Sequence, residues 1–320
     1  LFAIINEAPA GIDGLPDRWT LVARDAFNGK LLWKRPIAQW GWNQWGDHSY
    51  GNGRWNHPTH IARRLVAVGD RVFVTLGFNA PLSALDAATG RTVTVYDGTE
   101  FTDEILYDDG TLVLSVNTAA QGPGRINAKP PVEKEIVVLD AATGEVRWRT
   151  GDFVGIASKA DAIERVTHQE MVLGEDKLFC LEEGAVVALD RETGKPAWRF
   201  QRPARTGEQP VTYGSYYFAN LCSMVYHERM LLFMEPDPKL SRQPWNAPAQ
   251  STLFGIATDT GEVLWQRKCG MWGHYNQGDI FFIDDLAWVH DGQVFQMLGL
   301  DPRTGDVERT LSTKEALDQG

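Results

Sequence analysis

The side chains best suited to chemistry are concentrated in two short segments of the chain. Residues 34–60 hold four of its twelve tryptophans and three of its seven histidines. Indole rings provide contact area and histidines provide directional hydrogen bonds, a combination typical of ligand pockets. Residues 266–279 repeat the theme, with a Trp-Gly step followed by His, Asn and Asp. We predict a ligand-binding site formed by these residues: Trp42, Trp45, Trp55, His57, His60, Trp272, His274 and Asp279.

Two other interpretations of these segments stay open. His57, His60, His274 and Asp279 could converge on a metal ion, because imidazole and carboxylate groups form open metal sites. Alternatively, the segments only cover the apolar top of the fold, and their histidines form hydrogen bonds within loops. Two further histidines, His227 and His290, fall in predicted tight turns and are expected to face solvent.

Composition and missing motifs weaken several function classes. The sequence has no Asp-x-Asp-x-Asp-Gly calcium loop, Gly-x-Ser-x-Gly elbow, phosphate loop or dinucleotide fingerprint. Cys180, Cys222 and Cys269 show neither zinc-site spacing nor an adjacent pair, so we predict buried free thiols. A net charge of -11 and a pI near 5.1 argue against nucleic acid or an anionic membrane as partner. No apolar run predicts a transmembrane segment.

The elements that position these segments come from a phrase repeated six times. Each copy runs from an alternating apolar stretch through an Asp-x-x-Thr-Gly step into a second alternating stretch, which predicts a hairpin. Asp and Thr accept backbone N–H bonds within such a turn, and the glycine adopts the positive φ that closes it. A second hairpin lies between successive copies, so each repeat predicts four antiparallel strands. The fifth copy has Ala257 in place of Asp, and its turn is expected to be rearranged.

The connections between the predicted strands fall into two classes. Short turns occur near residues 69, 109, 174, 228 and 284 and at every Thr-Gly step, and they share one side of the sheets. We call this the turn side. Long, irregular connections, among them 34–60, 199–219 and 266–278, share the opposite side, which we call the loop side. Binding is predicted on the loop side.

Four residues after the glycine, four copies carry a tryptophan: Trp33, Trp148, Trp198 and Trp265. With it, the phrase resembles the quinoprotein-type, or PQQ-like, β-propeller repeat, whose blades end in Ala-x-Asp-x-x-Thr-Gly-x-x-x-Trp. The resemblance covers nearly the whole chain and implies an all-β propeller of four-stranded antiparallel blades. In that family the tryptophan packs between neighbouring blades, so these four residues inherit a structural role. Thr94 and Arg309 replace it in two copies, which are expected to dock less tightly.

The resemblance also suggests the extent of the domain. We count five complete repeats and the second half of one more, and expect residues 1–320 to be a single propeller domain truncated at both ends. The parent protein would then have seven or eight blades. Longer runs such as ARDAFNGKLLWKRP resemble large, mostly uncharacterised bacterial propellers, and the family suggests a periplasmic or exported location.

The resemblance implies two different functions. One is a PQQ-dependent dehydrogenase that oxidises alcohols or sugars, with PQQ and calcium as cofactors. Such enzymes carry an adjacent cysteine pair beside the quinone, which this sequence lacks, and their calcium ligands and catalytic Asp cannot be placed here. Non-catalytic members use the propeller as a docking platform. Our hypothesis is therefore a scaffold that binds a protein or a small molecule on its loop side. A further alternative is a metal-dependent lyase or hydrolase that uses His60, His274 and Asp279.

Overall fold

The computed structural model describes thirteen stretches of the chain: residues 1–7, 18–37, 61–77, 80–118, 133–154, 159–160, 163–164, 170–182, 184–203, 223–236, 249–271, 280–291 and 296–312. These stretches are almost entirely β-structure, apart from one 3-10 turn at Ile61–Arg64. The chain divides into two compact units, the first of residues 1–157 with 163–169 and the second of residues 158–162 with 170–320.

The first unit contains three antiparallel sheets, which we number as blades. Blade 1 has three strands, β1 (Phe2–Asn6), β2 (Trp19–Arg24) and β3 (Leu31–Pro36). Blade 2 is β4 (Leu65–Val68), β5 (Arg71–Thr75), β6 (Leu82–Asp86) and β7 (Thr92–Val95). Blade 3 is β8 (Thr102–Asp108), β9 (Thr111–Asn117), β10 (Glu133–Asp140) and β11 (Val146–Val154). Two short strands follow, β12 (Lys159–Ala160) and β13 (Ile163–Glu164).

The second unit contains three four-stranded antiparallel sheets. Blade 4 is β14 (Glu170–Leu173), β15 (Lys177–Leu181), β16 (Ala185–Asp190) and β17 (Pro196–Gln201). Blade 5 is β18 (Ser223–His227), β19 (Met230–Pro236), β20 (Ala249–Ala257) and β21 (Val263–Met271). Blade 6 is β22 (Phe281–Ile283), β23 (Leu286–His290), β24 (Gln296–Leu300) and β25 (Val307–Ser312). The five complete four-stranded repeats predicted from the sequence are therefore confirmed, and the partial one has three strands.

The repeated turn has the geometry that its residues predict. In blade 3, Asp140 Oδ1 accepts hydrogen bonds from the backbone N–H of Ala142 (3.0 Å) and Thr143 (2.9 Å). The N–H of Gly144 bonds to the carbonyl of Asp140 (2.8 Å), and Gly144 has a φ of 77°. These bonds, with Arg147, lower the pKa of Asp140 to about 2. They hold the turn closed without burying any charge.

The turn of blade 5 corrects one expectation. Although Ala257 replaces the Asp, the N–H of Gly261 still bonds to the carbonyl of residue 257 (2.9 Å), and Gly261 keeps a φ of 76°. The predicted rearrangement is therefore wrong, because backbone bonds and the glycine are enough to form this turn. Asp259, the displaced acid, pairs instead with Arg229.

Tryptophans of the last strands form wedges between consecutive blades. Trp33 Nε1 donates a hydrogen bond to the carbonyl of Ala87 in the next blade (2.9 Å), and its ring lies over Gly90. A Cβ on Gly90 would lie 2.6 Å from that ring, so only glycine fits. Two more copies repeat the contact: Trp198 bonds to Thr258 (2.7 Å) over Gly261, and Trp265 bonds to Pro302 (2.9 Å) over Gly305.

Blade 2 carries Thr94 at the wedge position, yet it docks by the same contact. Tyr96, two residues further along, is buried, and its hydroxyl donates to the carbonyl of Ala141 in blade 3 (2.6 Å). Its ring approaches Gly144 as the tryptophans approach theirs, with 3.2 Å to a Cβ built there. The expectation that this copy docks less tightly did not consider Tyr96. Its side chain reaches the same place as the tryptophans because side chains two residues apart share a strand face.

The hydrophobic core lies between successive blades within each unit. One cluster joins blades 1 and 2, a second joins blades 2 and 3, and a third joins blades 5 and 6. Leu21, Val72 and Leu85 in the first cluster are fully buried, as are Leu232, Val289 and Leu300 in the third. The blades are thus held together face to face, and the ends of their strands are left for function.

Candidate functional site

The predicted ligand-binding residues, Trp42, Trp45, Trp55, His57, His60, Trp272, His274 and Asp279, all lie outside the described residues. The structure does describe the bases of their segments. Residues 38–60 run from the end of β3 to the 3-10 turn before β4, and residues 272–279 connect β21 with β22. Both bases lie on the loop side of their own sheets. The predicted metal site of His57, His60, His274 and Asp279 therefore stays a prediction.

The described residues place buried charge on the loop side alone. Eight charged residues are buried, and each lies at or next to the loop-side end of a strand or in the 3-10 turn before one: Arg64, Asp103, Glu104, Lys134, Glu170, Glu182, Arg202 and Glu235. Charged groups are seldom buried without partners, because leaving water costs several kcal/mol per ion. Their concentration on one side makes the loop side the candidate functional site.

In the first unit, four buried charges and the partly exposed Arg63 form what we call the Lys134 cluster: Arg63, Arg64, Asp103, Glu104 and Lys134. Lys134 is fully buried and pairs with Asp103, whose side chain is 4% exposed. Arg63 Nη1 lies 3.2 Å from Glu104 Oε1. The two arginines end the 3-10 turn that closes residues 38–60. The cluster therefore fixes the base of the Trp- and His-rich segment.

A β-bulge explains how two adjacent acids are both buried. In the ladder of β8 with β9, Thr102 pairs with Val116 and Glu104 pairs with Ser115, so Asp103 is the extra residue. A bulge redirects side chains that would otherwise alternate between the two faces. Asp103 and Glu104 consequently both point into the protein, where cations from two other elements meet them.

Two opposing influences act on the guanidinium of Arg64 in the Lys134 cluster. Burial lowers the pKa of Arg64 to about 10, and the charge of Asp103 opposes this change. Asp103 Oδ2 is bound by Lys134, whereas its Oδ1 is buried and has no hydrogen-bond partner among the described residues.

In the second unit, we call Glu182, Arg199, Arg202 and Glu235 the Arg202 cluster. Arg202 forms a fork with Glu235 of the next blade, with 2.8 Å from Nε to Oε2 and 3.0 Å from Nη2 to Oε1. Its Nη1 donates to the carbonyl of Glu182 (2.9 Å), while the Glu182 carboxylate pairs with Arg199. Such a two-pronged, charge-assisted contact holds both groups in one geometry. It ties the loop-side ends of blades 4 and 5 together.

Our sequence interpretation missed these residues, although a signal was present. Lys134 alternates with Ile136 and Val138 in β10, and Glu235 alternates with Phe233 and Leu231 in β19. Alternation by two places them on the same strand face as buried apolar residues, which marks them as inward-pointing charges. Their pairing partners come from other elements and have no sequence signature.

The structure also corrects two histidines. His227 does not simply face solvent: it stacks on Phe282 of blade 6 at 4.1 Å between ring centroids, and its Nε2 is buried. His290 ends β23 on the loop side, not in a tight turn, and burial lowers its pKa. Cys180 and Cys269 are buried free thiols as predicted, and Cys222 lies outside the described residues.

The chain does not supply the cysteine pair that the resemblance gives for a PQQ site. No two of its cysteines are adjacent, and Cys180 and Cys269 lie in strands of different blades. Burial raises the pKa of the Cys269 thiol to about 12, so this sulfur stays protonated. By this criterion, the residues present do not fit the quinone.

Repeated four-stranded antiparallel blades with wedge residues at Thr-Gly turns define a β-propeller of PQQ-like repeats, as expected from the sequence. Residues 132–318 match the profile of a family described as outer membrane protein assembly factor BamB. The match covers more than half of the chain, which therefore belongs to this PQQ-like propeller family. The sequence matches none of the curated proteins with which it was compared.

Three solved structures are similar to this chain. BamB from Moraxella catarrhalis has 15% identity and a TM-score of 0.48, covering 77% of this chain and 62% of its own. Quinohemoprotein alcohol dehydrogenase from Comamonas testosteroni has 14% identity and a TM-score of 0.47, covering 92% and 58%. Dihydro-heme d1 dehydrogenase NirN in complex with DHE has 12% identity and a TM-score of 0.49, covering 97% and 56%. The chain thus spans less than two thirds of the length of each, and these similarities carry no argument about function.

In the part of the chain that the structure describes, the only helical segment is the 3-10 turn Ile61–Arg64, so none of its helices meets the length and hydropathy of a membrane span.

Proposed function

We propose that this chain is a non-catalytic propeller scaffold that binds a protein partner through its loop side. The observation that carries the proposal is the placement of all eight buried charged residues of the described chain at loop-side strand ends. Ion pairs at these positions hold the bases of long connections in one geometry. A rigid base lowers the conformational entropy that loops lose on binding, so it favours their use as a recognition surface.

The longest connections also lie on the loop side, although that side includes a short one, residues 182–184 between β15 and β16. On the turn side, the connection between β18 and β19 is residues 228–229, and even the long one between β2 and β3 is only 25–30. On the loop side, connections include residues 37–64, 202–222 and 237–248. Variation on a repeated scaffold is where binding proteins place specificity, as loops tolerate change better than strands do.

The class of partner is inferred from family and charge. The family description names an assembly factor for outer membrane proteins, which supports a protein partner and an exported, periplasmic location. A net charge of -11 is unfavourable for nucleic acid, since the backbone phosphates repel an acidic surface. The chain would form one propeller domain, in which residues 38–60 and 272–279 provide the contact surface.

The test compares matched aromatic substitutions on the two sides. Phe27 is fully exposed in a turn of blade 1, so Phe27→Ala is the turn-side control for Trp45→Ala and for Trp272→Ala on the loop side. Wild type and variants are immobilised, and proteins of a cell-envelope extract that they retain are identified and titrated. We expect loop-side substitutions to weaken binding of a retained protein at least tenfold at unchanged melting temperature. Loss of binding by Phe27→Ala alone would contradict the proposal.

A positive result in a dehydrogenase assay would contradict the scaffold proposal. The purified protein is incubated with PQQ and calcium, and dye reduction is followed with simple alcohols and sugars. The scaffold proposal predicts no turnover above the protein-free control. Sustained dye reduction would instead establish a dehydrogenase. Hydrolysis or elimination that requires a divalent metal ion, measured in separate assays, would point to the lyase or hydrolase alternative.

A further inference from the structure

Blades 5 and 6 bring together three metal-ligating side chains on the turn side, away from the proposed binding surface. His227 ends β18, and Glu228 follows it in the two-residue turn before β19. Asp285 lies in the corresponding turn between β22 and β23. One ligand atom from each of the three side chains lies within 4.8 Å of the other two.

The imidazole of His227 is held in place and aimed at the carboxylate of Asp285. Its ring stacks on Phe282 with an interplanar angle of 21°. Its Nε2 is buried, has no hydrogen-bond partner among the described residues, and lies 3.9 Å from Asp285 Oδ1. That separation is too long for a hydrogen bond. It is close to the distance of about 3.3 Å between two ligand atoms that share a tetrahedral ion with bonds of about 2.0–2.1 Å.

We propose that His227, Glu228 and Asp285 bind a divalent transition-metal ion, of the class of Zn²⁺, which links the turns of blades 5 and 6. One imidazole and two carboxylates form a ligand set for a borderline cation, whereas Ca²⁺ requires oxygen ligands alone. Three protein ligands leave a fourth position for water, as in open zinc sites. Because the ligands come from two blades, binding stabilises their docking.

One cation already competes for this site. Arg303 Nη2 lies 2.8 Å from Glu228 Oε2, so the metal ion and the guanidinium share one carboxylate. Arg309 is directed elsewhere, to Asp284 at 3.4 Å, and leaves Asp285 to the site. Replacing Arg303 by Gln should therefore tighten metal binding several-fold, an effect that a simple surface salt-bridge network would not produce.

The test is a calorimetric titration of chelator-treated protein with Zn²⁺, followed by Co²⁺ absorption spectroscopy. We expect a stoichiometric ion whose binding weakens at least tenfold in His227→Ala and in Asp285→Asn. His290→Ala is the matched control, with a half-buried histidine at the other end of blade 6, and it should bind as wild type does. Wild type should gain melting temperature with Zn²⁺, and Asp285→Asn should not.

Asp285 keeps the test decisive even if His227→Ala folds poorly, since its side chain is 88% exposed and its replacement leaves the packing intact. Absence of stoichiometric binding would overturn the proposal. So would binding that both substitutions leave unchanged, which would place the ion on other histidines of the chain. A response to Ca²⁺ equal to that of Zn²⁺ would show that His227 is not a ligand, and it would overturn the proposal as well.

Discussion

The turn side and the loop side of the blades use charge in opposite ways. On the turn side, acids cap turns or form exposed pairs, such as Asp140 with Arg147 and Glu228 with Arg303. On the loop side, Lys134, Asp103, Arg202 and Glu235 are withdrawn from solvent and paired. Exposed pairs contribute at most about 1 kcal/mol, whereas breaking a buried pair costs several. The ion pairs of the turn side therefore contribute little to stability individually, whereas those of the loop side cannot be broken without a large loss.

The largest effect should come from breaking a buried pair on the loop side. Lys134→Met leaves the Asp103 carboxylate buried without its partner, and we expect a loss of about 3–5 kcal/mol in the free energy of unfolding. Urea denaturation provides the measurement. Lys177→Met is the turn-side control, because Lys177 pairs with Asp176, which is 74% exposed, and the expected loss is about 1 kcal/mol or less. Equal losses for both variants would remove the proposed difference between the sides.

A smaller effect should separate wedge packing from turn geometry. Gly90→Ala places a Cβ against the ring of Trp33 at a φ of 69°, whereas Gly29→Ala has a φ of 71° and nothing within 4 Å. We expect Gly90→Ala to lower the free energy of unfolding by about 2–4 kcal/mol, from backbone strain plus overpacking. Gly29→Ala should lower it by about 1–2 kcal/mol, from strain alone. Thermal and urea unfolding of the two variants measure the difference. If the two losses agree, the wedge contact contributes nothing.

The smallest effect concerns the substitute wedge of blade 2. Tyr96→Phe keeps the ring but removes the hydroxyl that donates to the carbonyl of Ala141, so we expect a loss of about 0.5–1.5 kcal/mol. Thr94→Val, at the position where other blades carry the tryptophan, should stay within about 0.5 kcal/mol of wild type. Chemical denaturation of both variants tests whether Tyr96 has taken over the docking role. A larger loss of stability for Thr94→Val than for Tyr96→Phe would show that residue 94 has the docking role.

Elements with local causes were predictable. The Thr-Gly turns, the strands on both sides of them and the two classes of connection follow from residues within about ten positions of one another, as in Asp140 to Gly144. Errors occurred where a nearby residue could substitute, as Tyr96 does for Thr94, or where the backbone alone was enough, as at Ala257. In both cases, more than one sequence can form the same contact.

The candidate site was predictable only as a side of the fold. The contrast in connection length predicted that binding occurs on the loop side. The aromatic and histidine content of residues 34–60 and 266–279 predicted which segments form its surface. The buried charged groups of the loop side were not predicted, because their partners are distant in sequence. Lys134 and Asp103 are 31 positions apart, and Arg202 and Glu235 are 33 positions apart. Pairings at that separation depend on how blades and strands are brought together.

By itself, the sequence determined the repeat, its turns and the number of blades described, because hydrogen bonds inside a hairpin and alternation along a strand act over short distances. Only the tertiary structure decided which charges are buried, which side chain forms each wedge, and that His227, Glu228 and Asp285 share one place between two blades. The physical reason is that burial and ion pairing depend on the distance between atoms in space. Neighbouring blades set that distance independently of the order of residues along the chain.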